Sequence, residues 1–100
     1  MDQVTVVIPM HNKERFIEQA IQSVLAQTYP HWKMLLIDDA SSDQTLNRVA
    51  PYVDGQKTVC LSLRANIGLA QVLNYALVHV RTPYLLHLDA DDWLAPEALE

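Results

Sequence analysis

Three carboxylates fall within four residues at Asp89, Asp91 and Asp92. Like charges this close repel, and a divalent cation held between them relieves the repulsion. Hard oxygen donors suit Mg2+ or Mn2+, with substrate phosphates taking the remaining positions. Residues two apart in an extended segment point the same way, so Asp89 and Asp91 are expected to converge and Asp92 to point away. No basic residue follows them to compensate the charge. A solvated turn that caps a helix is the plain alternative, since Asp is common in both roles. The cluster follows an apolar run, and a second acid pair lies elsewhere in the chain; together these favour the metal reading.

That pair is Asp38-Asp39, at the end of another apolar run. One acid at a strand end commonly caps the loop or the next helix. The second is then available to accept a hydrogen bond from a ring N–H, as in a pyrimidine base. Ser41, Ser42 and Asp43 read as capping groups. His11 and Asn12 offer a stacking or hydrogen-bonding surface after the first apolar run. His31, His79 and His87 lack metal-like spacing and are expected to be structural. Trp32 and Trp93 read as packing anchors and Cys60 as inert core. Gly68 suits a tight turn into a helix. Only two glycines occur, and no Gly-x-Gly-x-x-Gly or Gly-x-x-x-x-Gly-Lys run exists, which argues against a dinucleotide fingerprint and a P-loop.

These residues need elements to position them, and the chain alternates regularly. Val4–Ile8, Met34–Ile37, Val59–Leu63 and Tyr84–Leu88 are short, near-continuous apolar runs, the pattern of strands buried on both faces of a parallel sheet. Between them lie three helical stripes: Phe16, Ile17, Ala20, Ile21, Val24 and Leu25; then Leu46, Val49, Ala50 and Val53; then Leu69, Val72, Leu73, Ala76, Leu77 and Val80. Asn12 is the expected N-cap of the first, with Glu14 in its first turn. The second is stopped near Pro51 and the third by Thr82-Pro83. The order β-α-β-α-β-α-β with right-handed crossovers predicts a sheet in the order 3-2-1-4, covered on both sides. Ligands of such sheets bind beyond the carboxyl ends of the strands, where the acids lie. Pro96–Glu100 reads as the first turn of a further helix, so the sequence is expected to be the front of a longer protein.

With 100 residues, half of them apolar and 19% charged, the chain has the balance of one globular domain. Twelve acids against seven bases leave a net charge of −5, which disfavours nucleic acid as a partner. A single cysteine permits no internal disulfide and fits a reducing compartment. No apolar run approaches a membrane span, and Met1-Asp2-Gln3 opens straight into a strand pattern with no secretory signal. A cytoplasmic chain is expected.

Val-Val-Ile-Pro-x-x-Asn at 6–12, Ser-Val-Leu-Ala-Gln-Thr-Tyr-Pro at 23–30, Ile-Asp-Asp-Ala-Ser-Ser-Asp at 37–43, Asn-x-Gly-Leu-Ala at 66–70 and Leu-Asp-Ala-Asp-Asp at 88–92 occur in that order. The set resembles the N-terminal nucleotide-binding half of family 2 glycosyltransferases. The resemblance implies a Rossmann-like GT-A fold, three-layer α/β/α with a mostly parallel sheet, truncated within residues 1–100. It implies a nucleotide-sugar donor, most often a UDP-sugar, and a saccharide or lipid-linked acceptor. Pro9, Met10, His11, Asn12 and Glu14 would line the nucleoside, Asp39 would meet the base, and Asp89 the ribose or sugar. Asn66, Gly68 and Ala90 complete the donor-binding set, and Asp91 with Asp89 would hold Mn2+ or Mg2+. Such enzymes invert the anomeric centre with a carboxylate base, here expected beyond residue 100, so these residues alone should bind donor without turnover. His11 stands where an aromatic residue is usual, Ala40 where Gly is, and Leu73 where Arg is.

A receiver-like signalling module is one alternative, but its acid pair should follow the first strand and a Lys should follow a fifth; here the pair follows the second and no Lys occurs after Lys57. A nucleotide-binding or assembly domain without catalysis is the other. An uncovered sheet edge is expected to favour self-association. Cell-envelope polysaccharide synthesis is the expected setting, with the inner face of the membrane as the place where a longer protein would work.

Overall fold

The computed structural model describes residues 2–100. β1 (Val4–Met10), β2 (Trp32–Asp39), β3 (Thr58–Leu63) and β4 (Tyr84–His87) form one parallel sheet in the order β3-β2-β1-β4. That is the order the alternating pattern predicts. β1 and β2 are the inner strands, paired from Val4↔Trp32 to Met10↔Asp38. Their β-branched and leucine side chains pack on both faces, which is why these strands read as continuous apolar runs.

Pro9 sits inside an inner strand, where a missing N–H normally breaks a ladder. The Val7 carbonyl accepts from Leu88 N–H at 2.9 Å. Backbone groups of a parallel strand turn to alternate neighbours, so the odd residues of β1 address β4. β4 has ended before it reaches Pro9, and no ladder bond is lost.

Helices α1 (Ile17–Leu25) and α2 (Thr45–Val49) cover one face, and α3 (Leu69–His79) covers the other. On the first, Ile17, Ala20, Ile21 and Val24 meet Val6, Ile8, Met34 and Leu36; on the second, Val72 and Ala76 meet Val7, Leu35 and Ile37. The three-layer arrangement is as expected, but the stripes are narrower. Phe16 and Leu25 at the two ends of α1 are 46% and 47% exposed, and Leu46, Val53, Leu69 and Leu77 are also exposed. α3 lies mainly over the inner strands, with half-buried β3 side chains at its flank, and only Val72 and Ala76 of its stripe are fully covered.

Two further expectations are corrected. β4 is not buried on both faces: it is an edge strand with Tyr84 69% exposed, and β3 is half-buried. Residues 96–99 form turns, not a helix, closed by Ala98 N–H to the Ala95 carbonyl at 3.0 Å. α2 is short because Pro51 turns the chain into a 3-10 segment, Ala50–Tyr52. No helix among the described residues is long and apolar enough to cross a membrane.

Candidate functional site

The carboxyl ends of β1 and β2 and the segment after β4 bound one cleft of about 300 Å3. Pro9, Met10, His11, Asp39, Asp89, Ala90 and Asp91 line it, so Asp39 and Asp91 face the same space. Lys13, Leu69 and Val72 line it too: Lys13 belongs to the loop through Glu14 expected at the nucleoside and Leu69 to the motif at 66–70, while Val72 had only a helical-stripe reading.

The acidic segment is a turn rather than an extended strand. Asp92 N–H donates to the Asp89 carbonyl at 3.0 Å, closing four residues. The two-residue alternation that would point Asp92 away therefore does not apply. One oxygen from each of Asp89, Asp91 and Asp92 lies within 4.8 Å of the others. Ligands of an octahedral ion at 2.0–2.1 Å lie about 3 Å apart when adjacent and about 4 Å when opposite. The three carboxylates are exposed, and as hard oxygen donors gathered within 4.8 Å they are of the kind that suits Mg2+ or Mn2+.

No basic residue follows these acids in the chain, but the fold brings two basic side chains to them. Lys13 Nζ, from the loop after β1, lies 3.7 Å from Asp91 Oδ2, and His87 Nε2 lies 3.0 Å from Asp89 Oδ1. His87 is thus part of the site's surroundings rather than a purely structural residue. Trp93 is 61% exposed beside the turn and anchors no core; Trp32 is buried as expected.

Asp38 and Asp39 are successive residues of β2, so their side chains leave opposite faces of the sheet. Asp38 turns toward the α1/α2 layer, where Oδ2 accepts from Ser41 N–H at 3.1 Å and Oδ1 is buried with no partner among the described residues. Its charge, after burial itself, helps push the Cys60 thiol up to about 11; a neutral, half-buried thiol is the inert group expected. Asp39 turns toward α3 and accepts from Ile67 N–H at 2.8 Å and Gly68 N–H at 3.0 Å. Two bonds leave carboxylate lone pairs still available to a ligand. The same bonds pin the loop that opens α3, and Gly68, with φ 86°, supplies the left-handed turn there.

His11 Nδ1 lies 2.6 Å from the Asp39 carbonyl, which can only accept, so Nδ1 carries the proton. Nε2 then accepts from Asn66 Nδ2 at 3.2 Å. His11 is locked across the cleft mouth by two elements rather than free to stack in any orientation.

Asn12 does not cap α1. Its φ is 53°, and its Oδ1 accepts from Ser42 N–H at 2.8 Å and Asp43 N–H at 3.3 Å, tying the loop after β1 to the loop after β2. α1 begins at Ile17 with no side-chain cap, and Glu18, not Glu14, lies in its first turn. Glu14 N–H donates to Asp43 Oδ2 at 3.3 Å. Ser41, Ser42 and Asp43 do not cap α2, whose N-cap is Gln44 with no side-chain cap bond; Asp43 Oδ1 instead accepts from Thr45 N–H at 2.9 Å, closing an Asx turn ahead of the helix. Burial raises its carboxyl, but the Thr45 hydroxyl and the Thr45 and Glu14 N–H groups outweigh that and leave the pKa lowered. Asn12, Glu14, Asn66 and Gly68 thus shape the cleft without lining it.

The turn of acids is held by a strap. Leu94 N–H donates to Ser23 Oγ at 3.0 Å, Gln27 Nε2 donates to the Ala95 carbonyl at 2.7 Å, and Leu99 N–H donates to Gln27 Oε1 at 3.0 Å. Thr28 N–H adds a bond to the Pro96 carbonyl at 2.9 Å. These residues belong to the motif at 23–30, whose pattern alone did not reveal what it holds.

The sequence profile of glycosyl transferase family 2 matches residues 5–100. The chain is 37% identical over 93 residues to the UDP-Glc:alpha-D-GlcNAc-diphosphoundecaprenol beta-1,3-glucosyltransferase WfgD of Escherichia coli, covering 92% of the chain and 36% of WfgD. Its fold matches S. aureus TarS 1–349 in complex with UDP, with TM-score 0.89, 29% identity, and coverage of 97% of the chain and 30% of TarS 1–349. It also matches the mannosyltransferase PcManGT of Pyrobaculum calidifontis in complex with GDP-Man and Mn2+, with TM-score 0.84, 27% identity, and coverage of 91% and 28%. The first curated relatives are matched over 36% to 40% of their own length.

Proposed function

The chain belongs to glycosyl transferase family 2, and from that premise we propose that it is the donor-binding N-terminal part, residues 1–100, of an inverting transferase that uses a UDP-sugar. The observation that carries this reading is the shared cleft: Asp39 on one side and the Asp89–Asp92 turn on the other face one space of about 300 Å3. Similarity to proteins in complex with UDP and with GDP-Man and Mn2+ supports it.

In this reading Pro9, Met10 and His11 line the nucleoside, with Asn12, Glu14, Asn66 and Gly68 holding their loops in place. Asp39 accepts from the base N–H. Asp89 and Ala90 meet the ribose or sugar, and Asp91 with Asp89 binds Mn2+ or Mg2+. When bound, that ion supplies Lewis-acid stabilisation of the leaving diphosphate. The acceptor oxygen bonds to the anomeric carbon from the face opposite the diphosphate. The bond between that carbon and the diphosphate oxygen breaks, and its electron pair leaves with the diphosphate. A carboxylate base beyond Glu100 takes the hydroxyl proton, so residues 1–100 bind donor without turnover. The acceptor is a saccharide or lipid-linked sugar, as the name of WfgD states for that relative. The setting is cell-envelope polysaccharide synthesis on the cytoplasmic side, at the inner face of the membrane. The open outer edge of β4 is the surface through which residues 1–100 self-associate.

Calorimetry with UDP tests the reading. Binding in Mn2+ or Mg2+ and almost none in EDTA is the expected result, with no sugar transfer. Equal binding with and without metal would remove the role given to the acidic turn.

A further inference from the structure

Among the described residues, Lys13 is the only lysine or arginine lining the cleft, alongside three lining carboxylates, Asp39, Asp89 and Asp91. Its backbone N–H donates to Thr45 Oγ1 at 2.9 Å, so the loop is pinned while the side chain stays free to move. Nζ lies 3.7 Å from Asp91 Oδ2, with the lysine side chain 37% exposed. No carbonyl or second acid among the described residues holds the ammonium in place. This loose tie is therefore also the only lysine or arginine charge among the described residues of the cleft.

A divalent ion on Asp91 and an ammonium on the same carboxylate repel each other, so one must give way. A diphosphate entering a cleft with this excess of carboxylates needs every cation it can reach. Lysine is a compact charge on four rotatable bonds and can move several ångströms without any backbone shift. From these observations, and resting on the donor-binding reading above, we infer that Lys13 is a diphosphate-binding residue held in waiting by Asp91. It releases that carboxylate to the incoming divalent ion and turns to the β-phosphate of the donor. The exchange keeps the acidic turn from standing uncompensated before donor arrives. It also couples the departure of Lys13 from Asp91 to the arrival of both ligands.

The inference requires effects of opposite sign from one substitution. For Lys13→Met, Mn2+ alone, followed by paramagnetic resonance, should bind about 1.5- to 5-fold more tightly, the range of an exposed ion pair removed from the competing carboxylate. UDP in saturating Mn2+, followed by calorimetry, should bind at least about tenfold more weakly, as for a lost charge-assisted bond. UMP, which lacks the β-phosphate, should change by less than about twofold, and Lys13→Arg should restore most of the UDP affinity. Unchanged UDP affinity in Lys13→Met, or UMP falling as far as UDP, would overturn the inference while leaving donor binding intact. A native chain that binds neither Mn2+ nor UDP would instead overturn the donor-binding reading itself.

Discussion

Asp91→Asn and Asp92→Asn, compared at two salt concentrations, ask which carboxylates of the turn touch the ion. The three side-chain oxygens lie within 4.8 Å of one another, so an ion bound to Asp89 and Asp91 still feels Asp92. A unit charge about 5 Å from a divalent ion contributes roughly 1.7 kcal/mol in bulk water. With a Debye length of about 8 Å at 0.15 M salt, screening reduces that to about 1 kcal/mol, or roughly fivefold in affinity. A direct ligand is worth more, on the order of 1.5–3 kcal/mol, or about 10- to 150-fold. Titration of Mn2+ by paramagnetic resonance, with thermal melting to confirm folding, should therefore show a large loss for Asp91→Asn that persists in 1 M NaCl. The loss for Asp92→Asn should be near fivefold at 0.15 M and close to nothing at 1 M, where the Debye length is about 3 Å. A loss for Asp92→Asn that equals that of Asp91→Asn and survives high salt would refute the assignment of ligands.

Ala40 holds φ 57°, a left-handed backbone that costs a side-chain-bearing residue about 1–2 kcal/mol. Ala40→Gly relieves this at an entropic cost of about 0.5–1 kcal/mol, and thermal melting should rise by roughly 2–6 °C. Gln27→Ala leaves the Ala95 carbonyl and Leu99 N–H without their partner. It should cost about 1–3 kcal/mol by denaturant melting, with faster amide exchange at residues 94–99. Asp54 has its pKa lowered by bonds from Thr58 and Gln56 N–H, and Asp43 is lowered as well. A carboxyl lowered in the folded chain lends stability above its unfolded pKa and loses it as pH falls through the folded one. Stability should therefore decline below about pH 4, and Asp54→Asn should flatten that decline in acid melts.

The strand order was legible in the chain itself, because β-branched runs of strand length alternating with helical stripes leave few parallel topologies. The grouping of the acids at one sheet edge followed from the same pattern, since Asp38-Asp39 and Asp89–Asp92 each close a strand. The expected order already put β3 and β4 at the edges, but their apolar runs have the same local periodicity as the inner strands, so they read as buried on both faces. Nor could it say how the chain turns after Leu88: the bond from Asp92 N–H to the Asp89 carbonyl, not strand alternation, sets where the third carboxylate points. Lys13 and His87 lie 78 and 2 residues from the acids they face. Spacing carries no signal for the Lys13 contact, made across the cleft, whereas His87 is a near neighbour of Asp89 in the chain. Asn12 had the residue type of a helix cap, but its carbonyl oxygen found the N–H groups of Ser42 and Asp43, thirty residues away, once β1 and β2 lay side by side. What the sequence determined by itself was the set of elements and the edge at which chemistry would gather. Which polar groups meet there was decided by tertiary structure, because hydrogen bonds and ion pairs depend on distances of a few ångströms that only the packed sheet brings about.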